Sequence, residues 1–347
     1  MTIAVDLAKS TFAVAMRAGT GPVVRRRLTR QQFDRFVRAQ APAHVVMEAC
    51  GTAHHWARVA QGCGHRVSLL PPQYVKPYVQ RHRKTDHTDA AGMLDAVHKP
   101  HLHPVVPKTV AQQELLALHR IRRHWMTSRT ARINAVRGFL QELGLPIARG
   151  AKTACGTAAA LLTDAATPIP FRLRHALGEL LREVRELETR VHTLERQLTD
   201  VAADDPVVAR LLGIPGIGVL TATALIATVG HIHAFRTARR FASWVGLTPS
   251  ERSSGARRRL GGISKAGDIY LRTLLTHGAR SVLRAARYRE RCRRPVPALQ
   301  RWALAVEQRR GHNKATVALA NKLARIVWVV WSRDVDFRAD PPQTVAA

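Results

Sequence analysis

Acidic residues are scarce in this chain: 24 Asp and Glu stand against 55 Lys and Arg in 347 residues, a formal net charge of +31. Excess charge of one sign on that scale disfavours cationic partners and favours a polyanion, nucleic acid above all. Cysteine is equally sparse. Cys50, Cys63, Cys155 and Cys292 are scattered with no Cys-x-x-Cys, which excludes a disulfide framework and a cysteine zinc site and fits a reducing cytoplasm. No uninterrupted apolar run is long enough to span a bilayer, and the N-terminus reads as a strand rather than a signal peptide. Leu212-Gly213-Ile214-Pro215-Gly216-Ile217-Gly218 lacks the GxGxxG spacing of a dinucleotide site and the Lys-Ser/Thr of a P-loop. Histidines such as His98, His101 and His103 have no Cys or Glu nearby to complete a tetrahedral metal set.

With acids so few, their placement is informative. Asp86 and Asp89 in Lys84-Thr85-Asp86-His87-Thr88-Asp89 are one helical turn apart and project from one helix face. Asp6 closes the strand pattern Thr2-Ile3-Ala4-Val5, and Glu48 follows His44-Val45-Val46-Met47. Like charges held this close repel. Two strand-end carboxylates and a helical pair are the oxygen-rich donor set that hard divalent cations prefer, and such sites cut phosphodiesters.

The length accommodates two or three domains. Strands are predicted at 2–7 and 11–17, with a basic third strand at 23–28. A helix over 31–40, the strand ending at Glu48, a helix over 52–61 and a strand over 66–70 follow, the pattern of a mixed-sheet α/β domain. Pro71, Pro72 and Pro77 interrupt the chain before a helix that runs through Asp86 and Asp89 to about His98. Pro100, Pro104 and Pro107 mark a linker. Residues 111–143 form a long helix carrying Arg120, Arg122, Arg123, Arg129, Arg132 and Arg137, and 151–169 are a connector or short helix. Leu177, Leu180, Val184, Leu187, Val191, Leu194 and Leu198 keep the 3–4 alternation of a heptad seam. That seam packs on residues 111–143 within the chain or on a second chain.

The C-terminal part opens with the glycine-rich turn at 213–218 and an apolar helix over 220–229. Such a turn either offers free N–H groups to a nucleic-acid backbone or packs tightly between helices. The cationic loop Ser253-Ser254-Gly255-Ala256-Arg257-Arg258-Arg259 can follow phosphates through its guanidinium groups, and an arginine-rich helix over 268–287 follows it. Its serine pair is a flexible turn or a nucleophile activated by the surrounding cations.

Taken together, the motifs resemble the DEDD transposases of bacterial insertion sequences, the family that includes Piv-type DNA invertases and bridge-RNA-guided recombinases. The matching segments are Ala4-Val5-Asp6-Leu7-Ala8-Lys9, Val46-Met47-Glu48-Ala49-Cys50-Gly51, Lys84–Ala90, Ile214–Gly218, Phe241–Ser250, Ser253–Gly255 and Ile263–Arg272, in order along nearly the whole chain. The resemblance implies an RNase H-like (RuvC-like) α/β domain over 1–107 and a helical coiled-coil insert over 108–203 that serves oligomerisation and RNA contact. It further implies a mainly helical transposase domain over 204–335 and a tail over 336–347. Asp6, Glu48, Asp86 and Asp89 match the family's metal tetrad, expected to hold Mg²⁺, with Mn²⁺ as the alternative. Ser254, with Ser253 as the alternative, matches the serine that forms a covalent link to DNA. Arg257, Arg258, Arg259, Lys265, Arg272, Arg120 and Arg123 are the expected nucleic-acid contacts. The implied partners are donor and target DNA, a structured non-coding bridge RNA and sister subunits in a dimer or tetramer, in the bacterial cytoplasm at the nucleoid. A RuvC-type hydrolytic nuclease, in which water attacks and the serine is structural, is the competing reading. A purely binding protein gains nothing from four carboxylates facing a polyanion.

Overall fold

Short continuous apolar runs at the N-terminus build the sheet expected of them. The computed structural model describes residues 1–78, 86–99, 104–255 and 257–339, and the side chains of residues 74 and 86–89 stand outside that description. Two units, 1–113 and 114–347, are each described by itself. This division places 114–203 and 204–335, separated in the sequence reading, in one unit.

In the first unit, β1 (Thr2–Leu7) and β2 (Thr11–Arg17) form an antiparallel hairpin, and β3 (Val24–Thr29) adds antiparallel to β2. Thr29 and Gln32 make a reciprocal capping box that starts α1 (Arg30–Ala39). β4 (His44–Glu48) then pairs parallel to β1. After α2 (Ala53–Gly62), β5 (Arg66–Leu70) pairs parallel to β4, which completes the order β3-β2-β1-β4-β5. The sheet is a mixed α/β sheet with helices on both faces. On one face Phe12, Phe33 and Trp56 meet edge to face at 5.1–5.4 Å under α1 and α2. Each such ring, fully buried, contributes on the order of 2–3 kcal/mol. A short α3 (Pro72–Val75) leads toward α4 (Asp86–Ala96), which covers the other face through Ala90, Met93 and Leu94 against Ala4, Ala13, Ala15 and Val46. Further along the chain, the Val105 N–H donates to the Leu69 carbonyl at 2.7 Å. Arg58 grips the Lys108 carbonyl and Gln113, both at 2.6 Å, so this part of the proline-rich linker lies along the unit.

The second unit is mostly helical. α5 (Val110–Glu142) starts from a Thr109–Gln112 capping box and belongs to this unit from residue 114 on. α6 (Ala151–Thr163) resolves the connector as a helix, and α7 (Phe171–Ala203) returns along α5. Arg122 pairs with Glu195 at 2.6 Å, Arg129 with Glu188 and Arg132 with Glu183. Residue numbers rise on one helix as they fall on the other, so the two form an antiparallel hairpin within the chain. The buried seam of α7 is Leu177, Leu181, Val184, Leu187, Val191, Leu194 and Leu198. Leu181 thus takes the place read for Leu180, which packs only partly buried at the edge of the cluster around Ile133, Val136 and Leu140.

Asp205 caps α8 (Pro206–Leu212), and the glycine-rich turn feeds α9 (Val219–Val229). Then come α10 (Ala238–Trp244), the hairpin β6 (Pro249–Glu251) and β7 (Leu260–Ile263), α11 (Ile269–Arg291), α12 (Ala298–Arg310) and α13 (His312–Ser332). Leu271, Leu275 and Val282 of α11 meet Leu319, Leu323 and Val327 of α13 in the main core. A Cβ on Gly278 of α11 would lie 2.1 Å from the Gly216 carbonyl, so the turn packs backbone to backbone on α11. Of the two readings of that turn, tight helix packing describes Gly216. Among the described residues no helix is long and apolar enough to cross a membrane.

Candidate active site

Strand register places the first two carboxylates. Val5 of β1 is opposite Met47 of β4, so the next step in this parallel pair sets Asp6 beside Glu48 at the carboxyl ends of two adjacent strands. Open α/β sheets bind ligands at such ends. Alternation fixes the face: Ile3 and Val5, like Val45 and Met47, enter the aromatic cluster, whereas Ala4 and Val46 enter the cluster under α4. Asp6 and Glu48, two residues beyond Ala4 and Val46, therefore share the α4 face and are half-buried.

One ion pair places the end of α4. Asp95, near its end, bonds Arg17 at 3.1 Å, and Arg17 is opposite Thr2 at the start of β1. That pair sets the C-terminal end of α4 beside the start of β1. The backbone of α4 begins at Asp86; the side chains of Asp86 and Asp89 lie outside the described residues, as do Lys84, Thr85, His101 and His103 entirely. Carboxylates in a first helical turn are also stabilised by the helix dipole, which is the ordinary reason to find them there. Among the described residues no three His, Cys, Asp or Glu side chains group as metal ligands. Asp6 and Glu48 offer oxygen donors only, a chemistry that suits Mg²⁺ or Mn²⁺ rather than zinc.

The serine pair sits at the tip of the β6–β7 hairpin. Arg252 N–H donates to the Arg259 carbonyl at 2.9 Å, and Arg257 N–H to the Ser254 carbonyl at 3.2 Å, which closes the hairpin tip. Gly255 has φ +56°, a left-handed conformation that glycine adopts without cost. The two hydroxyls differ sharply. Ser253 Oγ donates to Glu251 Oε1 at 2.8 Å and accepts the Arg259 N–H at 3.1 Å. The exposed Ser254 makes no side-chain hydrogen bond among the described residues. The Ser253 hydrogen bond, followed by Arg258, holds the Glu251 carboxyl below its usual range.

The expected nucleic-acid contacts divide. Arg257 and Arg259 are exposed and make no ion pair among the described residues, whereas Arg258 pairs with Glu251 at 3.2 Å. Lys265 (φ +54°) is exposed on the rim of a groove of about 1590 Å³ floored by Trp302, Val317 and Ile326. Arg272 is half-buried, and its guanidinium donates to the Val245 carbonyl at 3.1 Å and braces the turn before β6. On α5, Arg122, Arg129 and Arg132 pair with α7, while Arg120 and Arg123 stay exposed.

One polar cluster carried no sequence signal. His119 is 2 % exposed, with Nε2 3.0 Å from Thr223 Oγ1 and Nδ1 3.1 Å from the Tyr270 hydroxyl. Thr223 already donates to the Val219 carbonyl, so it accepts from Nε2–H, and Nδ1 accepts from Tyr270. Burial, then Arg122, lowers the His119 pKa from 6.5 to about 4. The neutral ring ties α5 to α9 and to the start of α11.

With this geometry in place, comparison with known proteins identifies the class. The family model described as "Transposase IS116/IS110/IS902 family" matches residues 208–293, and a second transposase model, the DEDD transposases of the IS110 group, matches residues 3–144. The chain belongs to the IS110 family of insertion-sequence transposases. A probable family 20 transposase of Pseudomonas aeruginosa is 43 % identical over 97 % of this chain and 98 % of its own. The transposase of element IS1111A from Coxiella burnetii is 39 % identical over 97 % of this chain and 91 % of its own. A pilin gene-inverting protein of Moraxella bovis is similar at 25 % identity over 83 % of this chain and 79 % of its own.

Proposed function

We propose that the chain cuts and rejoins donor and target DNA strands of an insertion sequence, guided by a bridge RNA. The site comprises Asp6, Glu48, Asp86 and Asp89 with a divalent metal, and the intermediate is a covalent link from Ser254 to DNA. The observation that carries this reading is the register that sets Asp6 beside Glu48 on the face that α4 covers. The strand order β3-β2-β1-β4-β5, with β1, β4 and β5 parallel, supports an RNase H-like (RuvC-like) domain.

Mg²⁺ bound by the four carboxylates would offset charge on the scissile phosphate and favour ionisation of the attacking hydroxyl. Ser254 Oγ forms the new bond to phosphorus, its proton passes to a base, and the phosphorus–oxygen bond to the leaving strand breaks. The leaving strand ends in a hydroxyl after taking up a proton. Attack by a strand hydroxyl on the phosphoserine reverses these steps and reseals DNA without a high-energy cofactor. The hydrogen bonds that occupy Ser253 favour Ser254 as nucleophile. Arg257 and Arg259 beside it suit a phosphate.

The α5–α7 hairpin corresponds to the coiled-coil insert, and its exposed Arg120 and Arg123 suit RNA phosphates. Because α5 covers the heptad seam, subunit association into a dimer or tetramer would use another surface. Phe139 and Phe171, 42 % and 84 % exposed where α5 ends and α7 begins, are apolar candidates.

The test combines purified protein, Mg²⁺, RNA transcribed from the non-coding DNA flanking the element, and end-labelled target duplex. On a denaturing gel the label should migrate with the protein, and Asp6→Asn should abolish the adduct. Cleaved free DNA with no adduct contradicts the proposal and favours hydrolysis of the RuvC type.

A further inference from the structure

β3 is an edge strand with the sequence Val-Arg-Arg-Arg-Leu-Thr, and Arg25, Arg26 and Arg27 are all exposed. The ordinary role of charge on such an edge is to discourage pairing with another strand. That role is indifferent to which sheet face each arginine takes. Register makes the faces differ.

Arg27 is opposite Ala13, and Ala13 is opposite Asp6. One cross-strand row therefore runs Arg27, Ala13, Asp6, and continues to Glu48. Ala13 is buried beneath α4, so Arg27 lies on the carboxylate face, about 10 Å from Asp6 across two strand spacings. Arg25, opposite Ala15, takes the same face about 7 Å along β3. Arg26, opposite Val14, takes the other face, where its guanidinium lies 6.0 Å from the Phe36 ring centre.

We propose that Arg27, with Arg25 next to it, binds the phosphodiester backbone of the DNA strand seated at Asp6 and Glu48. The inference rests on the carboxylate-site reading above. Carboxylates that face a polyanion repel it, and a cation beyond the metal would offset that repulsion further. A guanidinium fork in the same row, outside the metal's immediate surroundings, places positive charge on phosphates flanking the scissile one. Arg27 is thereby a binding and positioning residue.

The test uses the full-length protein and a fluorescein-labelled 20-nucleotide single strand, made both as DNA and as RNA of the same sequence. Anisotropy gives affinity across a KCl series, with Mg²⁺ and with EDTA. For DNA, Arg25→Ala/Arg27→Ala should lower the slope of log K against log salt by about 1.4, at about 0.7 per lost phosphate contact. Arg27→Lys should keep the slope of the parent, and Arg26→Ala should leave it unchanged. An equal loss in Arg26→Ala would reduce β3 to a diffuse cationic edge and overturn the inference. So would an unchanged slope in the double variant, or a loss seen with RNA alone. Asp6→Asn is measured in parallel, and its loss of the Mg²⁺ effect on affinity tests the carboxylate site separately. If Mg²⁺ alters affinity in no variant while the arginine phase holds, the phosphate contact stands and the carboxylate reading fails.

Discussion

Ser253 and Glu251 are joined by a 2.8 Å hydrogen bond that folds the tip of the β6–β7 hairpin back on its own strand. Arg258 reaches the same carboxylate. Glu251 thus orders a loop whose other charged residues are all arginines. Glu251→Gln should retain one acceptor but weaken both contacts, and Glu251→Ala should lose them. Both variants should fold with an unchanged melting temperature, because the loop is exposed. Adduct formation should fall several-fold in Glu251→Ala and less in Glu251→Gln, which single-turnover kinetics would measure. Equal rates in parent and Glu251→Ala would show that the loop needs no internal order.

Arg257 and Arg259 should each contact one DNA phosphate, while Arg258 is engaged with Glu251. Arg257→Ala/Arg259→Ala should lower the salt slope on duplex DNA by about 1.8, and adding Arg258→Ala should change it much less. A slope that drops in three equal steps would mean that the Arg258–Glu251 pair opens on binding.

His119 makes stability depend on pH. Its folded pKa of about 4 is below the ordinary 6.5, so the unfolded chain binds the proton more readily. The stability held by the neutral ring is complete above pH 6.5 and is lost as pH falls toward 4. The loss is bounded at about 3 kcal/mol, from about 1.4 kcal/mol per unit. His119→Gln, which keeps a donor and an acceptor, should flatten this part of the melting curve against pH between 7 and 4.5. An unchanged pH profile in that variant would show that His119 does not titrate on unfolding.

The α5–α7 hairpin fills its own seam, so Leu187→Asp should act on folding before assembly. Burying a carboxylate where Leu187 is 8 % exposed should cost roughly 3 kcal/mol or more. Thermal melting at fixed protein concentration would show the loss. A smaller assembly with unaltered melting would instead place Leu187 between subunits.

Most of the first sheet and the positions of its acids were legible, because short continuous apolar runs mark strands covered on both faces and because Asp6 and Glu48 terminate such runs. Their adjacency was not, since register is a property of pairing between segments distant in sequence. The same gap hid the difference between Arg26 and Arg27, neighbours in sequence on opposite faces. Leu180 and Leu181 both fit a helix stripe, and only the partner helix decides between them. Arg272 looked like its neighbours in an arginine-rich helix; a carbonyl 27 residues away claims it. His119 carried no motif, because a lone histidine gains its partners only from α9 and α11.

The most direct measurement compares Ser254→Ala, Ser253→Ala and the parent for protein–DNA adduct on a denaturing gel, with Mg²⁺, the transcribed RNA and labelled target DNA. The account predicts an adduct in the parent and in Ser253→Ala, at a reduced rate in the latter, and none in Ser254→Ala. An adduct that persists in Ser254→Ala and disappears in Ser253→Ala would contradict it.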